Sequence, residues 1–302
     1  MKIVTSGSDF LDIDGYAGII AYSNLLKLKG IPSKCVSTAK LNESITPSIL
    51  QLDIGLEKYE KSNDDEFIIV DVSIKNFFDN IVEEKKIVEV LDHHTGFEKY
   101  WKDRLGKNAK IEYIGAVATL IFEEYEKEGL IQKMSNQIAI LLMAAILDNT
   151  LNFQAKITTE RDKIAYNKLQ LIANTNTDYA KNYFLECQEI IEKDLKSAIE
   201  NDTKKLEKTY DILPPFFGQL TVWNKEFVLA KKDILYNTLN NFSDEWMINL
   251  ICLEDSKSYI ISTNKKVQRK IEKLFNKTFK NDTLVLDSVW LRKEIIKRAE
   301  DS

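Results

Sequence analysis

The chain has 302 residues, a formal net charge of −5 and 44% hydrophobic residues. That size and apolar content support one large domain or two medium ones and exclude wholesale disorder, and the acidic balance argues against a dedicated nucleic-acid binder. Three scattered cysteines (Cys35, Cys187, Cys252) read as reduced thiols, no apolar run approaches the roughly 20 residues of a membrane span, and the expected location is the cytoplasm.

The opening KIVTSG predicts a short buried strand. DGYAGIIAYSNLLKLKG predicts the helix after it, with apolar residues at helical spacing and Gly30 as its stop. PSKCVST reads as a second strand. EFIIVDVS is a continuous β-branched run, as in a strand buried on both faces. KIVEVLDHH repeats that pattern with a polar end, and AKIEYIG is a further short strand. AVATLIFEEYEKEG, SNQIAILLMAAILDNT and TTERDKIAYNKLQLIAN predict helices, the last with a Thr N-cap. Strands alternating with helices predict an α/β fold with a doubly wound, mainly parallel sheet over residues 1–185. Residues 186–200 are helical in pattern and highly charged, and read as a linker with a hinge. Residues 201–302 predict a second, smaller α/β domain. Its elements are strand FFGQLTVWN, helix KKDILYNTLNNFSD, strands WMINLICLED and SYIISTN, helix KKVQRKIEKLFN and the closing TLVLDSVWLRKEIIKRAEDS.

Ligands of doubly wound sheets bind beyond the carboxyl ends of the strands. Three polar clusters stand at those ends: SGSDFLDIDG with Asp12 and Asp14, Asp71 after FIIV, and Asp92-His93-His94 after VEVL. His93 and His94 are the only histidines in the chain. A fourth carboxylate, Asp148, ends a nearly all-apolar helix, where an unpaired charge costs several kcal/mol. Each has a plainer reading: a helix cap for Asp12 or Asp14, a turn for Asp71, a solvated loop for the histidines. Taken together, oxygen-rich ligands with one or two imidazoles suit Mn²⁺ or Mg²⁺ and do not suit a structural zinc. Such a set is enough for two ions sharing a bridging Asp, so the reaction class is metal-assisted hydrolysis of a phosphate ester or anhydride.

The motifs DIDG, VDVS, LDHH and AAILDNTLNF, in this order, resemble those of the DHH phosphoesterase superfamily. YIGAVATLIFEEYEKEG followed by LLMAAILDNTLNFQAKITTERD resembles, more narrowly, the manganese-dependent family II inorganic pyrophosphatases and their exopolyphosphatase relatives. In the C-terminal region EIIEKDLKSAI, GQLTVWN and KLFNKTFKNDTLVLDSVWLRKEII resemble the substrate-binding domain of that group. The resemblance implies hydrolysis of pyrophosphate or short polyphosphate in a cleft between two domains, with two Mn²⁺ or Mg²⁺ ions per chain. It places Asp12 and Asp71 on the first ion. Asp14, Asp71, His93 and Asp148 fall on the second, with Asp71 bridging. His94 would face the substrate phosphate, Asp92 would orient imidazole, and Lys196, Arg292 and Lys293 would hold phosphate oxygens. It also implies a small phosphate-containing substrate and a homodimer joined through sheet edges.

Three departures stand out: Ser8 where the pyrophosphatases carry a metal-binding His, Gly15 where Ser is usual, and RKEI in place of RKKQ, which puts Glu294 beside the phosphate cations. Two rival readings remain. One is a DHH phosphodiesterase acting on short oligonucleotides or cyclic dinucleotides, although the second region has one glycine, Gly218, and no histidine. The other is a binding protein with weakened catalysis. The basic stretch NKKVQRKIEKLF reads as a solvated amphipathic face, with Val267, Ile271 and Leu274 inward.

Overall fold

A computed structural model describes residues 1–8, 10–206 and 211–302, so Asp9 of the first polar cluster lies outside the described residues. The chain divides into two units, Met1–Phe153 with Ile157–Tyr183, and Gln154–Lys156 with Phe184–Ser302. The elements of the first unit are β1 (Lys2–Thr5), β2 (Phe10–Leu11), α1 (Ile13–Leu28), β3 (Ser33–Cys35), β4 (Lys40–Leu41), α2 (Pro47–Leu50) and β5 (Glu66–Val70). There follow β6 (Ile87–Asp92), α3 (Glu98–Leu105), β7 (Ala109–Ile111), α4 (Val117–Lys127), α5 (Asn136–Asn149) and α6 (Glu160–Ala173). The main sheet has the order β3-β1-β5-β6-β7 and every pairing in it is parallel. Counting its strands along the chain gives 2-1-3-4-5, a common doubly wound order whose ligand crevice opens between strands one and three. Here those strands are β1 and β5, so the crevice lies where Asp12 and Asp71 follow.

The strand sequences explain the layering. Ile3, Phe67, Ile69 and Val90 face one side of the sheet and pack with the fully buried Trp101 of α3. On the other side α1 lies close enough that a Cβ at Gly18 would meet Val70 Cγ1 at 2.6 Å. Glycine there is a packing requirement. α1 is buried on nearly all sides, as is α5, whose Ile138–Leu147 stretch is almost wholly apolar. Gly30, with φ +75, follows the end of α1, as the sequence predicts. The two-residue pair β2–β4 and helix α3 are not predicted by the sequence.

The division between the units falls inside α7 (Tyr179–Lys193). The second unit continues with α8 (Leu195–Asn201), β8 (Thr203–Lys205), β9 (Phe216–Val222), α9 (Glu226–Ala230), α10 (Lys232–Asn240), β10 (Trp246–Cys252), β11 (Lys257–Ile261), α11 (Lys265–Phe275), β12 (Thr283–Leu286) and α12 (Arg292–Glu300). Residues 186–200 are therefore part of α7 and most of α8. The second sheet runs β12-β11-β10-β9-β8 and is mixed: β9 and β10 are parallel, the other pairs antiparallel. Val267, Ile271 and Leu274 of α11 are buried, in agreement with the amphipathic reading. Among the described residues no helix is long and apolar enough to cross a membrane.

Candidate metal centre

Asp12 is the N-cap of α1, and its Oδ1 accepts from Gly15 N at 3.0 Å. The cap reading of DIDG is thus correct for Asp12. Asp14, two residues on, is fully buried. Its Oδ2 accepts from Val117 N at 2.8 Å and from Asn149 Nδ2 at 2.5 Å, and its Oδ1 from Ala118 N at 2.9 Å. Asp71 follows β5 with φ +63, a left-handed backbone that is costly for any residue with a Cβ. Its amide donates to Leu91 O at 2.8 Å, which ties the turn to β6. Asp148, near the end of α5, accepts from Tyr183 Oη at 3.0 Å. After α5 the chain takes three left-handed residues in succession, Leu151, Asn152 and Phe153, stabilised by Phe153 N donating to Thr150 Oγ1 at 3.1 Å.

The two histidines are held differently. His93 is buried, and its Nδ1 lies 3.0 Å from Ile114 O. A carbonyl can only accept, so Nδ1 carries a proton and donates to it. Nε2 faces carboxylate oxygens, Asp71 Oδ1 at 3.4 Å and Asp14 Oδ2 at 3.8 Å. His94 is half-exposed, with Nδ1 2.9 Å from Asp92 Oδ1, which leaves Nε2 for a ligand. The same Asp92 oxygen accepts the backbone amides of His93 (2.7 Å) and His94 (3.0 Å). One ligand atom from each of Asp71, His93 and His94 lies within 4.8 Å of the others.

Charge within the group is unbalanced. Burial, then the negative charge of Asp71, holds the Asp14 carboxyl well above the usual range, against the opposing effect of His93. Burial, then the charge of Asp12, pushes Asp148 up to about 7. Asp92 goes the other way: burial raises it, but the hydrogen bond and charge of His94 outweigh that and bring it below the ordinary carboxylate value. Asp12, Asp14, Asp71, His93 and Asp148 are therefore near enough to act on one another. A mixed oxygen and imidazole donor set of this kind fits Mn²⁺ or Mg²⁺.

Residues 2–146 match the profile of the DHH family, N-terminal domain. The chain carries a DHH-family domain. A Bacillus cereus (strain B4264) protein named a probable manganese-dependent inorganic pyrophosphatase is 24% identical over 309 residues, covering 98% of this chain and 96% of the relative. A Bacillus licheniformis protein of the same name is 23% identical with the same coverage. Among solved structures, a Methanococcus jannaschii protein provisionally named a family II inorganic pyrophosphatase superposes with a TM-score of 0.71 at 22% identity. It covers 100% of this chain and 99% of its own. An exopolyphosphatase-related protein from Bacteroides fragilis gives 0.53 at 15% identity, over 99% and 90%. These likenesses establish the two-unit fold.

Within the first unit the structure gathers Asp12, Asp14, Asp71, Asp92, His93, His94 and Asp148, each from the strand or helix end named for it by the sequence. Lys196, Arg292 and Lys293 belong to the second unit. Lys196 is exposed and 3.6 Å from Glu200. Arg292 is mostly buried and committed: Nη2 meets Asp202 Oδ1 at 2.6 Å, and Nη1 donates to Asp202 O and Phe217 O. Lys293 lies in the first turn of α12. Glu294, whose sign seemed out of place in a cationic run, accepts from Leu291 N at 2.9 Å and so caps α12. The sequence reading overlooked Asn149, Tyr183 and the Ile114 carbonyl. Asn149 stands beside Asp148 in LDNT, so an i+1 amide next to a candidate ligand was the available signal. Tyr183 and Ile114 gave none, because only folding brings them to the acids.

Proposed function

We propose that the protein is a divalent-cation-dependent hydrolase of phosphoanhydride bonds, with pyrophosphate or short polyphosphate as substrate. The observation that carries this is buried His93, with Nδ1 on the Ile114 carbonyl and Nε2 facing the carboxylates of Asp71 and Asp14. The curated relatives named manganese-dependent inorganic pyrophosphatases, matched over nearly the whole chain, support both the reaction and Mn²⁺. Asp12 and Asp71 would hold one ion, and Asp14, Asp71, His93 and Asp148 a second, with Asp71 shared. Once bound, the ions would polarise a phosphoryl oxygen and acidify a water at neutral pH.

The chain's own residues do the rest. The Ile114 carbonyl fixes the His93 tautomer that can ligate. Asp92 orients His94 through Nδ1, so that Nε2 faces the substrate and can pass a proton to or from a phosphate oxygen. Val117 and Ala118 amides share the charge of Asp14. Lys196, Arg292 and Lys293 are proposed to bind phosphate oxygens, Arg as a fork and Lys as point charges.

Turnover of pyrophosphate, tripolyphosphate and a dinucleotide, measured side by side with Mn²⁺ and with Mg²⁺, tests the proposal. The expected order is phosphoanhydrides far ahead of the dinucleotide. Faster cleavage of the dinucleotide would favour a phosphodiesterase, and no turnover of any substrate would favour a binding protein. Asp71→Ala is expected to abolish turnover, since it unlinks both ions.

A further inference from the structure

We infer that Asp162 is a positioning residue for the metal centre, acting through the turn that precedes α4. The inference rests on the metal-binding reading of His93 and Asp14 above. Asp162 is fully buried in the first turn of α6, and no role in chemistry is assigned to it by the motifs. Its side chain accepts four hydrogen bonds. Two come from Thr159, amide and hydroxyl, both at 2.7 Å to Oδ2; the amide bond, with Asp162 N donating back to Thr159 Oγ1, forms the capping box of α6. The other two reach out of the helix: Gly115 N to Oδ2 at 3.1 Å, and Thr119 Oγ1 to Oδ1 at 2.6 Å.

A cap needs only the first pair. The second pair clamps both ends of the segment 115–119, which together with Ile114 just before it touches the metal ligands at three points. Ile114 O, one residue before Gly115, accepts from His93 Nδ1. Val117 N and Ala118 N, inside the clamp, donate to the two oxygens of Asp14. One carboxylate thus fixes the carbonyl that sets the His93 tautomer and the amides that orient Asp14. Gly115 shows how close the approach is, since a Cβ there would stand 2.7 Å from Asp162 Oδ2 and 2.6 Å from Thr150 Cγ2. All four partners donate to the carboxylate. An amide in its place would turn an NH₂ group toward donors and release part of the clamp.

The chain's two histidines make the test direct, because the imidazole ¹H–¹⁵N spectrum holds only two ring systems. In the metal-free wild type, neutral His93 should appear as the Nδ1-protonated tautomer. Asp162→Asn should yield a tautomer mixture at His93 and a Kd for Mn²⁺, read by electron paramagnetic resonance, raised about tenfold. Thr159→Ala is the control. It loses the cap and lowers the melting temperature, but it leaves the links to Gly115 and Thr119, so both readouts should stay at wild-type values. Should Asp162→Asn not fold, Thr119→Val should move both readouts in the same direction by less. Wild-type His93 signals and Mn²⁺ affinity in a folded Asp162→Asn, or in Thr119→Val if that is the variant used, overturn the inference, as does an equal change in Thr159→Ala. A wild type that binds no Mn²⁺ refutes the metal-centre reading instead, and the tautomer arm still decides what Asp162 holds.

Discussion

Replacing Asp148 by Asn should stabilise the metal-free protein, and by more at high pH than at low. In the unfolded chain an aspartate titrates at about 3.9. In the folded protein burial and the charge of Asp12 push it up to about 7. Below the unfolded value both states are protonated and Asp148 contributes nothing. Between the two values the unfolded chain releases its proton while the folded one keeps it, so stability falls as pH rises, by about 1.4 kcal/mol per unit. The loss is complete above pH 7 and amounts to roughly 4 kcal/mol, an upper bound because the side chain is partly open to water. Asn keeps an oxygen for the Tyr183 hydroxyl and has nothing to ionise. Urea unfolding in EDTA should show Asp148→Asn ahead of wild type by about 1.5 kcal/mol at pH 5 and by up to about 4 kcal/mol at pH 8. Asp14 titrates with the same sign in both proteins and cancels from the difference. With Mn²⁺ in excess the ranking should reverse, since only the wild type gains from binding. An Asn-minus-wild-type difference that is the same at pH 5 and pH 8 would refute the raised Asp148 carboxyl described here.

Two further substitutions test packing, one in each unit. Arg292→Ala should lower stability by about 2–3 kcal/mol, seen as a fall in melting temperature, because it removes the donor to the Asp202 carboxylate and to the Asp202 and Phe217 carbonyls. An unchanged melting temperature with a raised KM would assign Arg292 to substrate alone. Gly18→Ala should cost about 1–3 kcal/mol, as its new methyl presses on Val70; a variant with the wild-type urea midpoint would show that α1 and β5 can separate freely.

The parts of the fold legible in sequence are those with a strong local pattern. EFIIV and KIVEVL are buried on both faces and read as strands at once, and α1, α4, α5 and α6 carry apolar runs or caps that fix their type. α3 did not: in EKYWKDRL only Trp101 is buried, so no apolar stripe marks the helix. β2 and β4 are two-residue strands whose pairing is purely tertiary. The candidate ligands were legible because each polar residue interrupts an apolar run at a strand or helix end. Their supports were not, because Ile114 acts through its carbonyl, Tyr183 lies 35 residues from Asp148, and Asp162 looked like the third residue of an ordinary cap. Arg292 was legible as a cation, but its commitment to Asp202, 90 residues away, was invisible.

Equilibrium dialysis of the purified chain against Mn²⁺, counting ions bound per chain, tests the central claim most directly. Two ions are expected for the wild type, with both sites weakened together in Asp71→Ala because that carboxylate is shared. A wild-type chain that retains no Mn²⁺, or an Asp71→Ala variant that retains two with unchanged affinity, would contradict it.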